Sequence, residues 1–394
     1  MEKENKVMKM NKKQKIAILS ISLLIIMSSA AISPALPYIG EYFSNSSELM
    51  IKMVISLPAI FIIPVTLVTG RLIFYVKKKH LLYVGLSLYI IGGLGGALQN
   101  SIYLLLVFRA LMGIGIGVLI PLTRGLIADF FTGDERSKMM GYSSAFNNLG
   151  GIIATILAGL LTVYGWRYPF LVYILAFVVL LLVIFYLPNQ DIPPKETHKI
   201  HINKNVWVLG LTHYMMIITF YAVPSGLGYF VLTNNFGGGV TTGLLISITT
   251  LCSFFLGIVF HRLKLLLKGG TILFGLIILT LGMLGIGISS NLFQVAIALA
   301  LVGFGMGIIP PMIYLQTSLV SSKNDVVLSL AIVSIFSFLG QFSSPIINSF
   351  FQSIFNYHSA GSTFIISTFI GSFTILVLIV NKFISVYRKS NQND

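Results

Sequence analysis

Residues 109–121 read RALMGIGIGVLIP, and the rest of the chain is organised around this stretch. It places one arginine in an apolar segment, followed by glycines at 113, 115 and 117 and by a proline at 121. Residues 303–311, GFGMGIIPP, repeat that spacing of glycines and proline 190 positions later. The stretch and its copy predict that the chain is an internal duplication.

Other parts of the chain support a duplication at the same offset. Only about two glycine pairs are expected to coincide by chance in a chain of this composition. The pairs that coincide outside the opening stretch are Gly85/Gly275, Gly92/Gly282, Gly95/Gly285, Gly150/Gly340 and Pro34/Pro224. Because these pairs fall in separate segments, we expect two copies of one structural unit.

The composition places this duplicated chain in a lipid bilayer. It is 56% hydrophobic and 9% charged, whereas soluble domains carry about 25% charged residues. Apolar runs of about 20 residues, each long enough to cross about 30 Å of hydrocarbon, lie near 15–38, 50–74, 81–99, 102–128, 138–163, 166–187, 206–232, 241–262, 270–289, 291–320, 326–350 and 361–387. We therefore predict an all-α membrane protein with twelve transmembrane helices in two pseudo-symmetric six-helix bundles, at 1–187 and 206–394, joined by a cytoplasmic central loop at 188–205.

The net charge of +15 is explained by topology. If the helices are numbered from a cytoplasmic N-terminus, all Lys and Arg residues except Lys52, Arg109 and Arg167 fall on the cytoplasmic side. This is the positive-inside bias, and it predicts that both termini are cytoplasmic. It leaves no reason to infer a nucleic-acid partner. The sequence also lacks a phosphate-binding loop with its lysine, a Cys and His metal cluster and a nucleophile with its base, so we expect no cofactor, no metal and no enzymatic activity.

Three local patterns resemble motifs of one transporter family. The loop after the second segment reads GRLIFYVKKK from Gly70, and it resembles the loop signature of the major facilitator superfamily. Gly70, Lys78 and Lys79 match that signature. Phe74 and Tyr75 stand where the family has an acidic and a basic residue, a pair that latches the two halves at the cytoplasmic face. The resemblance implies the fold of this superfamily.

The fourth and fifth segments carry the other two patterns. In the family, an arginine four residues before a glycine marks the fourth helix and is linked to proton coupling, and Arg109 and Gly113 match it. The fifth segment is similar to the motif of the twelve-helix drug:proton antiporter branch at Gly141, Gly150 and Gly159. Alanines and a threonine replace further glycines and the proline of that motif, at Ala154, Thr155 and Ala158.

The residues themselves leave two interpretations of Arg109 open. A charged side chain near the bilayer centre costs about 2.5–3.5 kcal/mol, which favours a functional or gating role toward a cavity or a partner. Arg109 lies about seven residues from the outer helix end, so its side chain could instead snorkel to the interface.

Prolines in the first helix of each half predict matching breaks. Pro34 and Pro224 fall at equivalent positions, and a proline in a membrane helix frees carbonyls that need a protein-lined or wet cavity. Repeat-built transporters place their substrate path at such breaks. A plain packing kink is the alternative. Pro345 is a further proline, in the eleventh segment.

The candidate substrate and proton pathway consists of polar or aromatic residues at membrane depth. They are Ser29, Arg109, Asn147, Asn148, His213, Tyr221, Tyr314 and Gln341. For the two asparagines, lining a cavity and bonding to a neighbouring helix are equally open. No carboxylate lies in the middle of a segment, so the candidate titrating groups are His213, Glu41 and Asp129. A histidine that is merely hydrogen-bonded is the alternative for His213.

Together these observations predict a secondary transporter that works by alternating access in the cell membrane. We expect efflux of a small amphipathic solute, a drug or a metabolite, by proton antiport, and Arg109 favours a neutral or anionic solute over a bare cation. The expected partners are the solute, protons and the lipid bilayer, with the protein as a monomer. The alternatives are a solute uptake facilitator or symporter of the same fold, and a membrane sensor derived from it that transports nothing.

Overall fold

A computed structural model describes residues 10–188, 202–322, 325–357, 359 and 361–390. The predicted central loop at 188–205 lies mostly outside these residues, as do the lysine-bearing start of the chain and its last four residues. Within the described residues, twelve helices are long and apolar enough to cross a membrane. The predicted number of membrane spans is therefore confirmed.

Within each half of the chain, the α-helices follow one another through short connections. Those of the first half are α1 Lys12–Ala30, α2 Leu36–Tyr42, α3 Glu48–Leu72, α4 Lys78–Ala97, α5 Ile102–Phe130, α6 Gly133–Leu161 and α7 Leu175–Tyr186. Those of the second half are α8 Lys204–Thr233, α9 Gly239–Leu267, α10 Thr271–Ile288, α11 Leu292–Val320, α12 Val326–Ile354 and α13 Ser362–Ser390. A 3-10 turn joins α1 and α2 into one span, and another 3-10 turn leads into α7.

The helices form two compact units, each with its own packing. The first unit contains α1 to α7 together with Gly238–Leu244 at the start of α9. In it, α5 packs against α3 and α4, and α1 packs against α6. The second unit contains α8, the rest of α9 and α10 to α13. There α11 packs against α10, and α8 packs against α12 and α13.

Close helix contacts repeat at the offset seen in the sequence. A side chain at Gly92 on α4 would collide with the backbone of Met112 on α5. A side chain at Gly282 on α10 would collide in the same way with the backbone of Val302 on α11. Both members of the second contact are 190 positions after those of the first. Glycine allows membrane helices to approach this closely, so the two units share one packing scheme.

The predicted break in the first helix of each half is right for one half and wrong for the other. The first span breaks after α1 because Pro34 and Pro37, three residues apart, remove two backbone donors. In contrast, α8 continues as one helix through Pro224. A single proline removes only one donor, a loss that a membrane helix tolerates without breaking.

Candidate functional site

Arg109 lies at the centre of the first unit and has an exposed fraction of 0%. Its Nε donates to the carbonyl of Val54 on α3 at 2.7 Å, and its Nη2 donates to the carbonyl of Ser28 on α1 at 2.7 Å. Its Nη1 donates to the hydroxyl of Tyr173 at 3.0 Å and to the sulfur of Met112 at 2.9 Å. The side chain is buried and bonded, so the alternative that it snorkels to the interface is wrong.

Both carbonyls that bind Arg109 lack their usual helical donor. In α3 the carbonyl of Val54 would accept from the N–H four residues on, but that residue is Pro58, which has none. In α1 the N–H of Ile32 donates to Ser29 instead of Ser28, at the point where the helix breaks. Buried carbonyls without a donor are costly. Arg109 therefore supplies the donors that the prolines and the helix break leave missing.

Gly113 explains how Arg109 comes so close to α3. It lies one turn after the arginine, on the same face of α5, and a side chain there would collide with the backbone carbonyl of Pro58. The arginine and the glycine therefore belong to the same contact between α5 and α3. Gly113 lets α5 approach α3 at Pro58, and Arg109 bonds to the carbonyl of Val54, which lacks a helical donor because of this proline.

Two tyrosines that the sequence did not single out complete the Arg109 cluster. The hydroxyl of Tyr173 donates to Ser28 at 2.7 Å, and the hydroxyl of Tyr89 on α4 donates to the carbonyl of Leu24 at 3.0 Å. Their rings pack edge to face at 5.8 Å, and both side chains are fully buried. The buried face of α1 is thus held by donors from three other segments.

The Arg109 cluster can do little acid–base or binding chemistry as it stands. Four hydrogen bonds occupy four of the five N–H donors of the guanidinium. None of the ion pairs among the described residues includes Arg109. Neutral dipoles surround the charge, so this arrangement is suited to fixing α1, α3 and α5 together, and a solute would have to displace a protein partner to reach the arginine.

The contact between α1 and α6 places Ser29, Asn147 and Asn148. The Oδ1 of Asn147 accepts from the backbone N–H of Ile26 on α1 at 3.0 Å, so this asparagine bonds to a neighbouring helix. Asn148 is half-buried and makes no hydrogen bond within the described part of the chain. Ser29 is also half-buried, and its Oγ donates within α1 to Ile26 at 3.3 Å. The side chain of Asn147 is therefore attached to α1 through its oxygen, whereas its Nδ2 and the whole amide of Asn148 have no hydrogen-bond partner among the described residues.

The glycines of the fifth segment differ in their contacts. A side chain at Gly150 would collide with the carbonyl of Leu23 on α1, and one at Gly159 would approach the carbonyl of Gly239 to 2.7 Å. Gly141 has no atom within 4 Å of such a side chain. Two of the three predicted motif glycines therefore serve close packing, and the first does not.

His213 and Tyr314 are brought together in the second unit. His213 on α8 is 2% exposed, and the Tyr314 ring on α11 meets its ring edge to face at 5.4 Å. The backbone of Val333 on α12 is a hydrogen-bond partner of the histidine, whereas its Nδ1 has none among the described residues. The hydroxyl of Tyr314 lies 3.5 Å from that of Ser334. This site therefore holds one buried ring nitrogen without a hydrogen-bond partner among the described residues.

The remaining predicted pathway residues lie on the same helices. Tyr221 is buried on α8, and Gln341 is half-buried on α12 close to Pro345, which the helix accommodates without a break. Ser29, Arg109, Asn147 and Asn148 belong to the first unit, and His213, Tyr221, Tyr314 and Gln341 belong to the second.

A polar row on α12 was missed by the sequence analysis. Ser344, Asn348 and Gln352 follow one another at intervals of four and are buried. Asn348 accepts from Ser367 on α13 at 3.3 Å, and Gln352 donates to Ser362 at 2.7 Å. The four-residue spacing of polar side chains in an apolar helix could have revealed this row. Hydrogen bonds of this kind attach membrane helices to one another.

The loop that resembles the family signature is anchored by its basic residues. Lys78 is buried and forms an ion pair with Asp129 at the end of α5. The Nζ of Lys79 donates to the carbonyls of Ile184 at 3.1 Å and Leu187 at 2.7 Å, where α7 ends. Gly70 has no atom within 4 Å of a side chain placed there. The matching lysines therefore join α4 to α5 and α7.

Comparison with known proteins identifies the family. The model of the Major Facilitator Superfamily matches residues 18–264, which is more than half of the chain. The chain belongs to the major facilitator superfamily. Its fold matches that of a nucleoside transporter, NupG, with a TM-score of 0.79 at 9% identity over 94% of this chain and 99% of that one. It also matches a D-xylose-proton symporter with a TM-score of 0.72 at 17% identity over 92% and 96%.

Relatives in sequence include transporters of opposite direction. The bacillibactin exporter of Bacillus subtilis is 30% identical over 39% of this chain and 40% of its own length. The quinolone resistance protein NorA of Staphylococcus aureus is 28% identical over 37% and 38%. The arabinose-proton symporter of Escherichia coli is 26% identical over 46% and 39%. These matches span about two fifths of each relative's length. The chain is therefore a multi-pass membrane protein of this superfamily.

Proposed function

We propose that this protein exports small amphipathic solutes, drugs or metabolites, from the cell in exchange for protons. In this proposal it lies in the plasma membrane with both termini in the cytoplasm, acts as a monomer, and alternates access between an N-terminal bundle at 1–187 and a C-terminal bundle at 206–394. The similarity to the bacillibactin exporter and to NorA supports the direction of transport.

The observation that carries the proton coupling is the unpartnered nitrogen of His213. Every carboxylate of the described residues lies at or beyond a helix end. Of the other two candidate groups, Glu41 is exposed, and Asp129 is already paired with Lys78. His213 is within a membrane span, is buried and keeps one nitrogen without a partner. An intramembrane ionisable residue of this kind commonly marks a proton or ion pathway.

Proteoliposomes with an imposed pH gradient test this coupling. His213→Gln keeps an amide that is able to bond to Val333 but cannot titrate, so we expect it to lose gradient-driven solute accumulation and to retain exchange without a gradient. His80→Gln, at an exposed position, is the matched control and should behave as the native protein does. Full gradient-driven transport by His213→Gln would rule out this histidine as the coupling group.

The same vesicles separate antiport from symport. If protons and solute move in opposite directions, an acidic vesicle interior drives solute uptake, and an acidic exterior does so if they move together. The likeness to the arabinose-proton symporter makes symport the second candidate. A panel of drugs and metabolites is screened under both gradients. Uptake driven by an acidic interior indicates antiport, and uptake driven by an acidic exterior indicates symport.

A sensor that transports nothing is favoured by one observation, the replacement of the acidic and basic pair of the loop by Phe74 and Tyr75. Saturable solute flux in vesicles would exclude it. The double change Phe74→Asp with Tyr75→Arg should alter the transport rate if this loop still gates. An unchanged rate would show that the loop has no part in gating here.

A further inference from the structure

One face of α3 carries three polar residues in an otherwise apolar span. Glu48, Lys52 and Ser56 follow one another at intervals of four residues, and residues at this spacing lie above one another on the same side of a helix. The two members inside the span are buried, with exposed fractions of 1% for Lys52 and 0% for Ser56. This polar face is not part of the pathway predicted from the sequence.

Lys52 is a buried cation with few partners. Its Nζ lies 2.6 Å from a carboxylate oxygen of Glu48, but the angles at this contact are not those of a hydrogen bond. Glu48 is itself 57% exposed, so water screens its charge. An ammonium group has three N–H donors, and apart from this ion pair none of them meets an acceptor among the described residues. A buried charge with so little compensation is expensive in a membrane span.

Ser56 is one helical turn further along and is equally unsatisfied. A serine or threonine inside a helix usually donates its hydroxyl to the carbonyl four residues before it, as Thr123 does to Leu119 at 2.8 Å. The Oγ of Ser56 makes no such bond and has no other partner among the described residues. Two adjacent buried donors on one helix face therefore lack acceptors.

The predicted topology makes Lys52 unusual in a second way. It is one of only two basic residues predicted at the outer side, where the positive-inside bias disfavours them. The other one, Arg167, donates to Asn100 at 2.6 Å and stacks on Trp166 and Tyr42. Arg167 is thus occupied by its neighbours, whereas Lys52 is not.

We propose that Lys52 and Ser56 form a subsite for the carboxylate group of the transported solute, and that Glu48 is the resident counter-ion which this carboxylate displaces. A carboxylate offers only acceptors, which are what an ammonium and a hydroxyl without partners require. This inference rests on the proposed transport function and assigns a chemical class to its solute.

Equilibrium binding to the full-length protein in phosphatidylcholine nanodiscs tests the subsite. The probes are aromatic and aliphatic monocarboxylates, each paired with its uncharged primary amide, beginning with 3-phenylpropionate and 3-phenylpropionamide. We expect at least one carboxylate to bind about tenfold tighter than its amide, the gain typical of a hydrogen-bonded charge. Lys52→Met should remove this preference, and Lys52→Arg should keep it. The matched control Lys12→Met, at an exposed lysine of α1, should leave it unchanged.

The variant Glu48→Gln tests whether Glu48 competes with the solute for Lys52 or only stabilises Lys52 in the folded protein. If Glu48 competes with the solute, the variant binds the carboxylate more tightly than the native protein does. Weaker or unchanged binding overturns the proposal, as does a carboxylate preference that survives Lys52→Met. A panel without any carboxylate preference in the native protein also overturns it. If Lys52→Met does not fold, Glu48→Gln and Lys52→Arg carry the test.

The two proposals fail in different ways. Flux of neutral solutes without any carboxylate preference would overturn the subsite and leave the transport function intact. A carboxylate preference that depends on Lys52, in a protein that moves no solute under either pH gradient, would overturn the transport function and leave the subsite intact.

Discussion

Arg109 and Lys52 are both buried cations in the first unit, on two helices that pack against each other, yet their surroundings differ. Four hydrogen bonds hold the guanidinium of Arg109. One exposed carboxylate lies beside the ammonium of Lys52, and apart from this ion pair its N–H donors meet no acceptor among the described residues. Burial alone therefore does not show how well a charge is compensated, and the number of satisfied donors distinguishes the two cations.

The backbone around each cation explains the difference. Pro58 frees a carbonyl of α3 on the side that faces α5, and the planar guanidinium reaches this carbonyl and that of Ser28 at the same time. A compact ammonium forms no such fork. Around Lys52 the helix keeps its regular hydrogen bonds, so the backbone offers no additional acceptor.

The largest expected effect is the loss of stability on removing the arginine. Arg109→Met leaves the carbonyl of Val54 without a donor and that of Ser28 with only the Tyr173 hydroxyl, and we expect a loss of about 3 kcal/mol in unfolding free energy. Lys52→Met removes an under-compensated charge and leaves only the solvated Glu48, so stability should change by less than about 1 kcal/mol or rise. Unfolding in detergent with increasing dodecyl sulfate measures both values.

Two further variants sharpen this contrast. Arg109→Lys keeps the charge and loses the fork, so it should be nearly as unstable as Arg109→Met if hydrogen bonds matter more than charge. Arg124→Met, at an exposed position of the same helix, serves as the control. Equal stabilities of Arg109→Met and Lys52→Met would contradict the distinction between the two cations.

A smaller effect is expected from two glycines on α6. Gly150 is packed against another helix, whereas Gly141 has open space around it. Gly150→Ala would push a methyl group against the carbonyl of Leu23, and we expect it to cost about 1–3 kcal/mol. Gly141→Ala meets open space and should stabilise the helix by about 0.5–1 kcal/mol. Thermal melting of the purified variants compares them, and a stable Gly150→Ala protein would argue against the tight contact between α1 and α6.

The smallest effect concerns two neighbouring asparagines, of which only Asn147 bonds to another helix. Asn147→Ala removes the acceptor for the N–H of Ile26 and should cost about 1 kcal/mol. Asn148→Ala loses no bond within the described chain and should stay within about 0.5 kcal/mol of the native stability. If Asn148 contacts solute, its substitution should instead raise the KM for transport. A loss of stability in Asn148→Ala together with a raised KM in Asn147→Ala would contradict this prediction.

Sequence was sufficient for the number and approximate bounds of the spans, because apolar length alone determines which segments cross a bilayer. It also indicated where helices nearly touch, because the glycines at an offset of 190, such as Gly92 and Gly282, lie at close helix contacts. It was insufficient for the effect of proline. Pro34 and Pro224 are equivalent in sequence, but only the first has a second proline nearby, and the loss of a single donor at Pro224 does not break α8.

For the candidate site, the sequence identified the cation but not its partners. Arg109 is conspicuous in an apolar segment, whereas the carbonyls of Val54 and Ser28 belong to residues with no distinctive side chain. Only the proline four residues after Val54 marks one of them in advance. Lys52 was counted among the outer charges because it lies near a helix end. Its spacing to Ser56 was the available signal that it belongs to a polar face.

The chain order of the Arg109 cluster has a consequence for biogenesis. The two carbonyl acceptors are on helices that leave the ribosome before the arginine does, and Tyr173 leaves it last. When α5 enters the membrane, the carbonyl acceptors for Arg109 have already been inserted. The guanidinium can therefore bond to them at once and does not stay exposed to lipid until a later helix is made. Reversing this order by circular permutation would expose the charge during insertion.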